Sequence, residues 1–355
     1  MKPIDIPPEQ LAAEMAEYSR KLGHGLTNLL NAQEVDTGVT PRQAVYCEDK
    51  LTLYRYQGVD EGWRNPVPLL IVYALVNRPY MTDIQEDRST LRNLLVQGQD
   101  IYLIDWGYPD DADAGLTLDD YINGYIDRCV DQVCEASGQQ QINMLGICQG
   151  GVFSLCYTAL HQSKVKNLIT MVTPVDFQTP GNLLSSWARR IDIDLLVDTL
   201  GNVPGELLNW IFLSLKPFTL IGQKYVNMVD LLEDETRLKN FLRMEKWIFD
   251  SPDQAGESFR QFVKDFFQNN GLINGGVRLG EWLVELKKIT CPLLNIYGEQ
   301  DHLVPPDASR ALRDLTGSSD YSEVAFPGGH IGIYVSSSAQ KTIPPAIGRW
   351  LNERS

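Results

Sequence analysis

Apolar positions along this chain follow two rhythms. Over residues 10–31, Leu11, Met15, Tyr18, Leu22, Leu26 and Leu29 recur three or four apart, the period of an amphipathic helix. Residues 50–57, KLTLYRYQ, alternate instead and predict a strand near a sheet edge. Short, nearly continuous apolar runs then follow: PLLIVYALV (68–76), DIYLIDW (100–106), INMLGI (142–147), VKNLITMV (165–172), PLLNIYG (292–298) and YSEVAF (321–326). Runs of this length without strict alternation predict strands covered on both faces, hence a mostly parallel sheet. Helical patterns such as 117–136 and 151–162 lie between them. The repetition predicts a doubly wound α/β fold.

The rhythm breaks between about 176 and 286. That stretch has no clear strands, has helical patterns near 204–214, 229–250 and 255–269, and is dense in aromatics: Trp187, Trp210, Phe212, Phe218, Tyr225, Trp247, Phe249, Phe262, Phe266 and Phe267. We read residues 1–175 and 287–355 as the α/β core and 176–286 as a helical cap insertion over the carboxyl edge of the sheet, where such sheets bind ligands. A helical layer whose aromatics only pack one another is the plainer alternative.

Composition narrows the function. Of 355 residues 43 % are hydrophobic and 22 % charged, which is ordinary for a globular protein. The net charge of −15 disfavours general nucleic-acid binding, because phosphate would be repelled. The six cysteines are scattered, with no CxxC pair to suggest a zinc site or a disulfide scaffold, so free thiols are expected and no metal. The start, MKPIDIPPEQ, lacks the apolar core of a signal peptide. The longest apolar approach to a membrane span, 207–222, is interrupted by Lys216 and Pro217. A cytoplasmic protein without a membrane span is expected.

Chemistry concentrates at Gly146-Ile147-Cys148-Gln149-Gly150. This Gly-x-Cys-x-Gly follows a predicted strand and precedes a predicted helix, the pattern of a nucleophile elbow with sulfur in place of oxygen. The glycines permit close approach of strand and helix around a strained central residue. The amide of Gln149 then points to where an oxyanion would form, and the helix start favours thiolate over thiol. A phosphate loop would need Lys and Ser/Thr where Val152 and Phe153 stand.

A thiol nucleophile needs a base. Of the four histidines, His330 follows YSEVAF in the loop PGGHIG, near the end of the chain, where the α/β-hydrolase arrangement places its histidine. The acid falls between them in NIYGEQDHLVPP (295–306): Asp301 is the first candidate, with Glu299 and Asp307 open alternatives. The loop LVNRPYM (75–81) is placed to give a second oxyanion donor, the amide of Val76 or Asn77. Asn77, Arg78 and His302 are candidates to face the substrate. His302 reads rather as a plain loop residue, and Arg78, Arg88 and Arg189 are unranked candidates for an anionic group.

With these pieces in place, the sequence resembles the catalytic subunit of a class III polyhydroxyalkanoate synthase, through ALVNRPYMTDIQEDRS, YLIDWGYPD, GICQGG, TMVTPVDFQTPGNLL, DHLVPPDASR and FPGGHIGIYVS. The resemblance covers most of the chain and implies an α/β-hydrolase fold. It further implies polymerisation of (R)-3-hydroxyacyl groups, 3-hydroxybutyryl first among them, from coenzyme A thioesters onto a growing polyester chain, with no separate cofactor. Cys148 matches the acyl-carrying nucleophile, His330 the group that deprotonates it, and Asp301 the carboxylate that activates the incoming hydroxyl. The resemblance also implies a second, different synthase subunit, further copies of this chain, and the surface of polymer granules. Two rival readings remain: a cysteine hydrolase (a thioesterase, a dienelactone-hydrolase-like enzyme or a polyester depolymerase) and a non-catalytic α/β scaffold.

Overall fold

The run 142–147 becomes the strand β5 (Ile142–Ile147), buried at every residue, near the middle of an eight-stranded sheet. The computed structural model describes residues 35–58, 64–216 and 234–355. The helix expected over 10–31, positions 217–222 of the long apolar segment, residues 229–233, Phe218 and Tyr225 lie outside the described residues. The other strands of the sheet are β1 (Arg42–Glu48), β2 (Leu51–Tyr56), β3 (Leu69–Val72), β4 (Ile101–Asp105), β6 (Val165–Met171), β7 (Leu293–Gly298) and β8 (Tyr321–Phe326). Their spatial order is β1-β2-β4-β3-β5-β6-β7-β8. The first two strands run antiparallel to their neighbours, and every pairing from β4 to β8 is parallel.

Burial on both faces explains the unbroken apolar runs. Leu70 and Val72 of β3 face one cluster with Met144, Phe153 and Leu155. Leu69 and Ile71, one residue out of phase, face the other with Leu145, Ile147, Leu91, Leu94 and Ile343. The helix Gln149–Leu160 has eleven buried residues of its twelve, so it is buried on every side rather than amphipathic. Two expectations are corrected. Run 321–326 was expected to be covered on both faces, but β8 bonds only to β7 and is largely half-buried, because it closes the sheet as an edge. A further strand, β1, lies at 42–48, where the residues are mostly exposed and leave little apolar pattern.

Between β6 and β7 the chain is mainly helical, with Leu183–Ala188, Ile193–Leu200, Gly205–Ser214, Glu235–Phe249 and Gly256–Phe262. A small ribbon, Arg278–Leu279 against Trp282–Leu283, interrupts a stretch that is otherwise without strands among the described residues. The helices reach the loops at the carboxyl ends of β3 and β4. Trp247 Nε1 donates to the carbonyl of Arg78 at 2.8 Å, and Asp250 accepts from Tyr80 and Tyr108 at 3.0 and 2.5 Å. Asn202 Nδ2 donates to the carbonyl of Asp110 at 2.6 Å. The aromatics divide: Phe262, Phe266 and Phe267 pack edge-on or tilted against Phe177 at 4.8–6.0 Å between ring centroids, whereas Trp187, Trp210 and Phe249 are exposed.

Candidate active site

The nucleophile position is set by backbone strain. Cys148 links β5 to its helix at φ 55°, ψ −119°, a conformation that costs a non-glycine residue about 1–3 kcal/mol. Its amide donates to the carbonyl of Met171 at 2.9 Å, and its carbonyl accepts from Gly151 at 3.0 Å. The flanking glycines are sterically required. A Cβ on Gly150 would collide with the carbonyl oxygens of Val72 and Tyr73, and one on Gly151 with the side chain of Thr173. The elbow is thereby wedged between β3 and the end of β6, with the sulfur-bearing residue partly exposed.

The loops after β7 and β8 bring the other two groups together. Gln300 N–H donates to the carbonyl of Gly328 at 3.0 Å and Glu299 N–H to that of Phe326 at 2.8 Å, tying one loop to the other. Across this tie His330 Nδ1 meets Asp301 Oδ2 at 2.7 Å. Asp301 Oδ1 accepts from the amides of Leu303 and Val304, each at 2.9 Å. Both carboxylate oxygens are therefore occupied, and the side chain is wholly buried. Asp307 is exposed beside Arg310, so Asp301 is the carboxylate that reaches the ring.

Burial opposes the imidazolium of His330. The charges of Asp301 and Cys148, with hydrogen bonds to both, outweigh it and hold the ring well above the ordinary imidazole range. A histidine raised in this way stabilises the fold fully below its unfolded value of about 6.5, and that contribution is lost as pH rises through the native value. In Asp301→Asn, burial no longer meets an opposing carboxylate. Histidine-resolved NMR titration is expected to find that His330 keeps its proton to higher pH in the parent than in the variant. The stability gap between the two, read by denaturant unfolding, should be widest below about pH 6.5. A ring that titrates alike in both proteins would contradict this electrostatic account.

The remaining candidates separate by what holds them. Gln149 is the first residue of the helix, and neither its amide nor those of Val76 and Asn77 has a hydrogen-bond partner among the described residues. Asn77, at φ 63°, donates through Nδ2 to Ser251 Oγ at 2.5 Å. Arg78 is engaged elsewhere: it forms a mostly buried pair with Asp105 at 2.8 Å, donates to the carbonyl of Gly107 at 2.9 Å and lies over the exposed Tyr108 ring. Its guanidinium ties two loops together and is not free for a ligand phosphate. Arg189 is exposed in the helical stretch between β6 and β7, and Arg88 is half-buried. His302 is half-buried, and burial, then the charge of Lys216, lowers its pKa.

Sequence reading missed two residues beside the sulfur. Tyr73 and Tyr334 are 4 % and 1 % exposed, and burial, then nearby charges that include Cys148, raises both phenols. The Tyr334 ring meets that of His330 edge to face, 6.3 Å between centroids. Both sit in apolar runs, where tyrosine reads as core.

The model of the alpha/beta hydrolase fold matches residues 67–337. The chain is 72 % identical to the poly(3-hydroxyalkanoate) polymerase subunit PhaC of Allochromatium vinosum, over the whole of both chains. It is 69 % identical to that of Thiocystis violacea, again over all of both, and 55 % identical to that of Synechocystis, covering 98 % of this chain and 94 % of the other. Among solved structures, the monoacylglycerol lipase of Paleococcus ferrophilus superposes with a TM-score of 0.51 at 16 % identity, covering 86 % of this chain and 100 % of that one. Est1E from Butyrivibrio proteoclasticus gives 0.50 at 17 %, covering 88 % and 98 %. These structures share the fold, while the PhaC subunits match from end to end. The chain belongs to the poly(3-hydroxyalkanoate) polymerase PhaC family of the α/β-hydrolase fold, as the catalytic subunit of a class III synthase.

Proposed function

We propose that this chain loads (R)-3-hydroxyacyl groups from coenzyme A thioesters onto Cys148 and transfers them to the hydroxyl end of a growing polyester. The observation that carries the reading is the Asp301–His330 pair at 2.7 Å, with Cys148 on its strained elbow close enough to raise the same imidazole. In the first step Sγ attacks the thioester carbonyl, the oxyanion takes hydrogen bonds from backbone amides, and coenzyme A leaves as its thiol with a proton from His330. In the second, His330 takes the proton of an incoming hydroxyl, its oxygen attacks the acyl carbon, and the Cys148 thiolate departs as the ester forms.

Sulfur suits this sequence of steps. Substrate and acyl-enzyme are both thioesters, so loading is nearly neutral in energy. A serine ester would lie lower and hold the acyl group back. The alcohol must also outcompete water, present at about 55 M in bulk, so positioning and an apolar cover have to supply the preference. The helical segment over the strand ends supports such a cover, with Trp247 and Asp250 seated on the loops beside Cys148.

Incubation with (R)-3-hydroxybutyryl-CoA tests the reading, with and without a co-expressed second subunit. Insoluble polyester with stoichiometric release of coenzyme A is expected. Free 3-hydroxybutyrate as the main product would make the enzyme a thioesterase. The same reading places the protein in the cytoplasm at the surface of polymer granules. No helix among the described residues is long and apolar enough to cross a membrane.

A further inference from the structure

The residue after the nucleophile sends its side chain away from the site. Gln149 is 8 % exposed, and its Oε1 accepts from the amide of Leu75 at 3.0 Å. The carbonyl of the same Leu75 accepts from Nε2 of Gln254 at 3.1 Å. Gln254 is 2 % exposed and belongs to the helical segment. Its backbone is locked to Val203 by two hydrogen bonds of 2.9 and 2.8 Å, and its Nε2 also lies 3.3 Å from the carbonyl of Pro252. Leu75 is thus held on one side by the nucleophile helix and on the other by the cap.

The consequence follows from peptide geometry. The carbonyl of Leu75 and the amide of Val76 share one planar trans peptide, so they point in opposite directions. Fixing the carbonyl on Gln254 fixes the direction of the Val76 N–H, which has no partner among the described residues. The Val76 side chain packs in the cap's own apolar cluster with Ile193, Val197, Val203 and Leu208. We infer that Gln254 and Gln149 are positioning residues that aim the Val76 amide at the oxyanion, so that the oxyanion site is complete only while the cap is seated. The inference rests on the proposed acyl loading of Cys148 and names what makes that step efficient.

The test separates oxyanion stabilisation from thiol activation. Acylation of the full-length chain by p-nitrophenyl acetate breaks the ester bond, joins acetyl to Sγ and releases p-nitrophenolate through a tetrahedral oxyanion. Alkylation by iodoacetamide displaces iodide with no oxyanion at all. Gln254→Met keeps the length of the side chain and removes its donor. The burst rate constant is expected to fall about 10- to 100-fold, somewhat less than outright loss of an oxyanion donor, while Cys148 alkylation stays within about twofold. Gln149→Met should behave alike, and Gln149→Glu, which keeps an acceptor for the Leu75 amide, should recover most of the burst. Either methionine variant carries the test if the other does not fold. A burst unchanged within twofold, or alkylation falling in step with it, would overturn the inference. A burst that responds as expected in a protein that makes no polyester would instead remove the polymerase reading and leave this one standing.

Discussion

Cys148→Ala is expected to release no burst of coenzyme A from (R)-3-hydroxybutyryl-CoA, to form no covalent acyl adduct by mass spectrometry, and to lose about 10⁴-fold or more of turnover. The size of the effect follows from the chemistry: without the sulfur there is no atom on the elbow to carry the acyl group between donor and hydroxyl. Cys148→Ser tests why sulfur is used. A hydroxyl is far less acidic than a thiol and must lose its proton within the reaction step, so loading should fall by about 10²–10³-fold even though the atom occupies the same place. Stability is expected to move the other way. Alanine keeps the strain of φ 55° at this position, so Cys148→Ala should unfold close to the parent, whereas Cys148→Gly relieves it and should raise the denaturation midpoint. Residual burst and adduct in Cys148→Ala would place the acyl group on another residue.

How much of this was readable beforehand depends on the range of the interactions. The sheet was legible because burial on both faces writes itself into each strand separately, as in INMLGI and PLLNIYG. The elbow was legible because its constraint is local, two glycines and a turn within five residues. Asp301 and His330 were picked out by their places after successive strands, yet spacing left Glu299 and Asp307 beside Asp301, and it is the 2.7 Å contact of Asp301 with His330, with Glu299 and Asp307 exposed, that separates them. Contacts across long stretches left no trace. Nothing periodic marks Arg78 as the partner of Asp105, 27 residues on, so it read as a free cation. Gln149 and Gln254 each look like an ordinary polar residue until folding brings both to Leu75. The aromatics between residues 176 and 286 were read from composition, but the packing of the Phe cluster on Phe177 and the exposure of Trp187 and Trp210 depend on contacts that composition does not encode.

Asp301→Asn is expected to split the two half-reactions. A free thiol with a pKa near 8.5 costs about 2 kcal/mol to ionise at pH 7, and an alcohol, far less acidic, costs several times more. The same imidazole therefore meets two very different demands. Loading asks little of it, since the thiolate is within reach. Elongation asks it to remove a proton from a hydroxyl as the C–O bond forms, which requires a strong base whose positive charge is then stabilised. Asp301 lies 2.7 Å from the ring while its other oxygen is held by two backbone amides, so on the proposed mechanism it acts on the hydroxyl through His330 rather than by touching it. Asparagine keeps the shape and removes the charge. Rapid-quench measurement should find acyl loading within about tenfold of the parent and chain elongation slowed by about 10²–10⁴-fold, the range of a general base, so that short acyl chains accumulate on Cys148. Equal loss in both steps would mean that Asp301 serves chiefly to orient the ring toward the sulfur, as the acid does in a protease triad, and that the hydroxyl finds its base elsewhere.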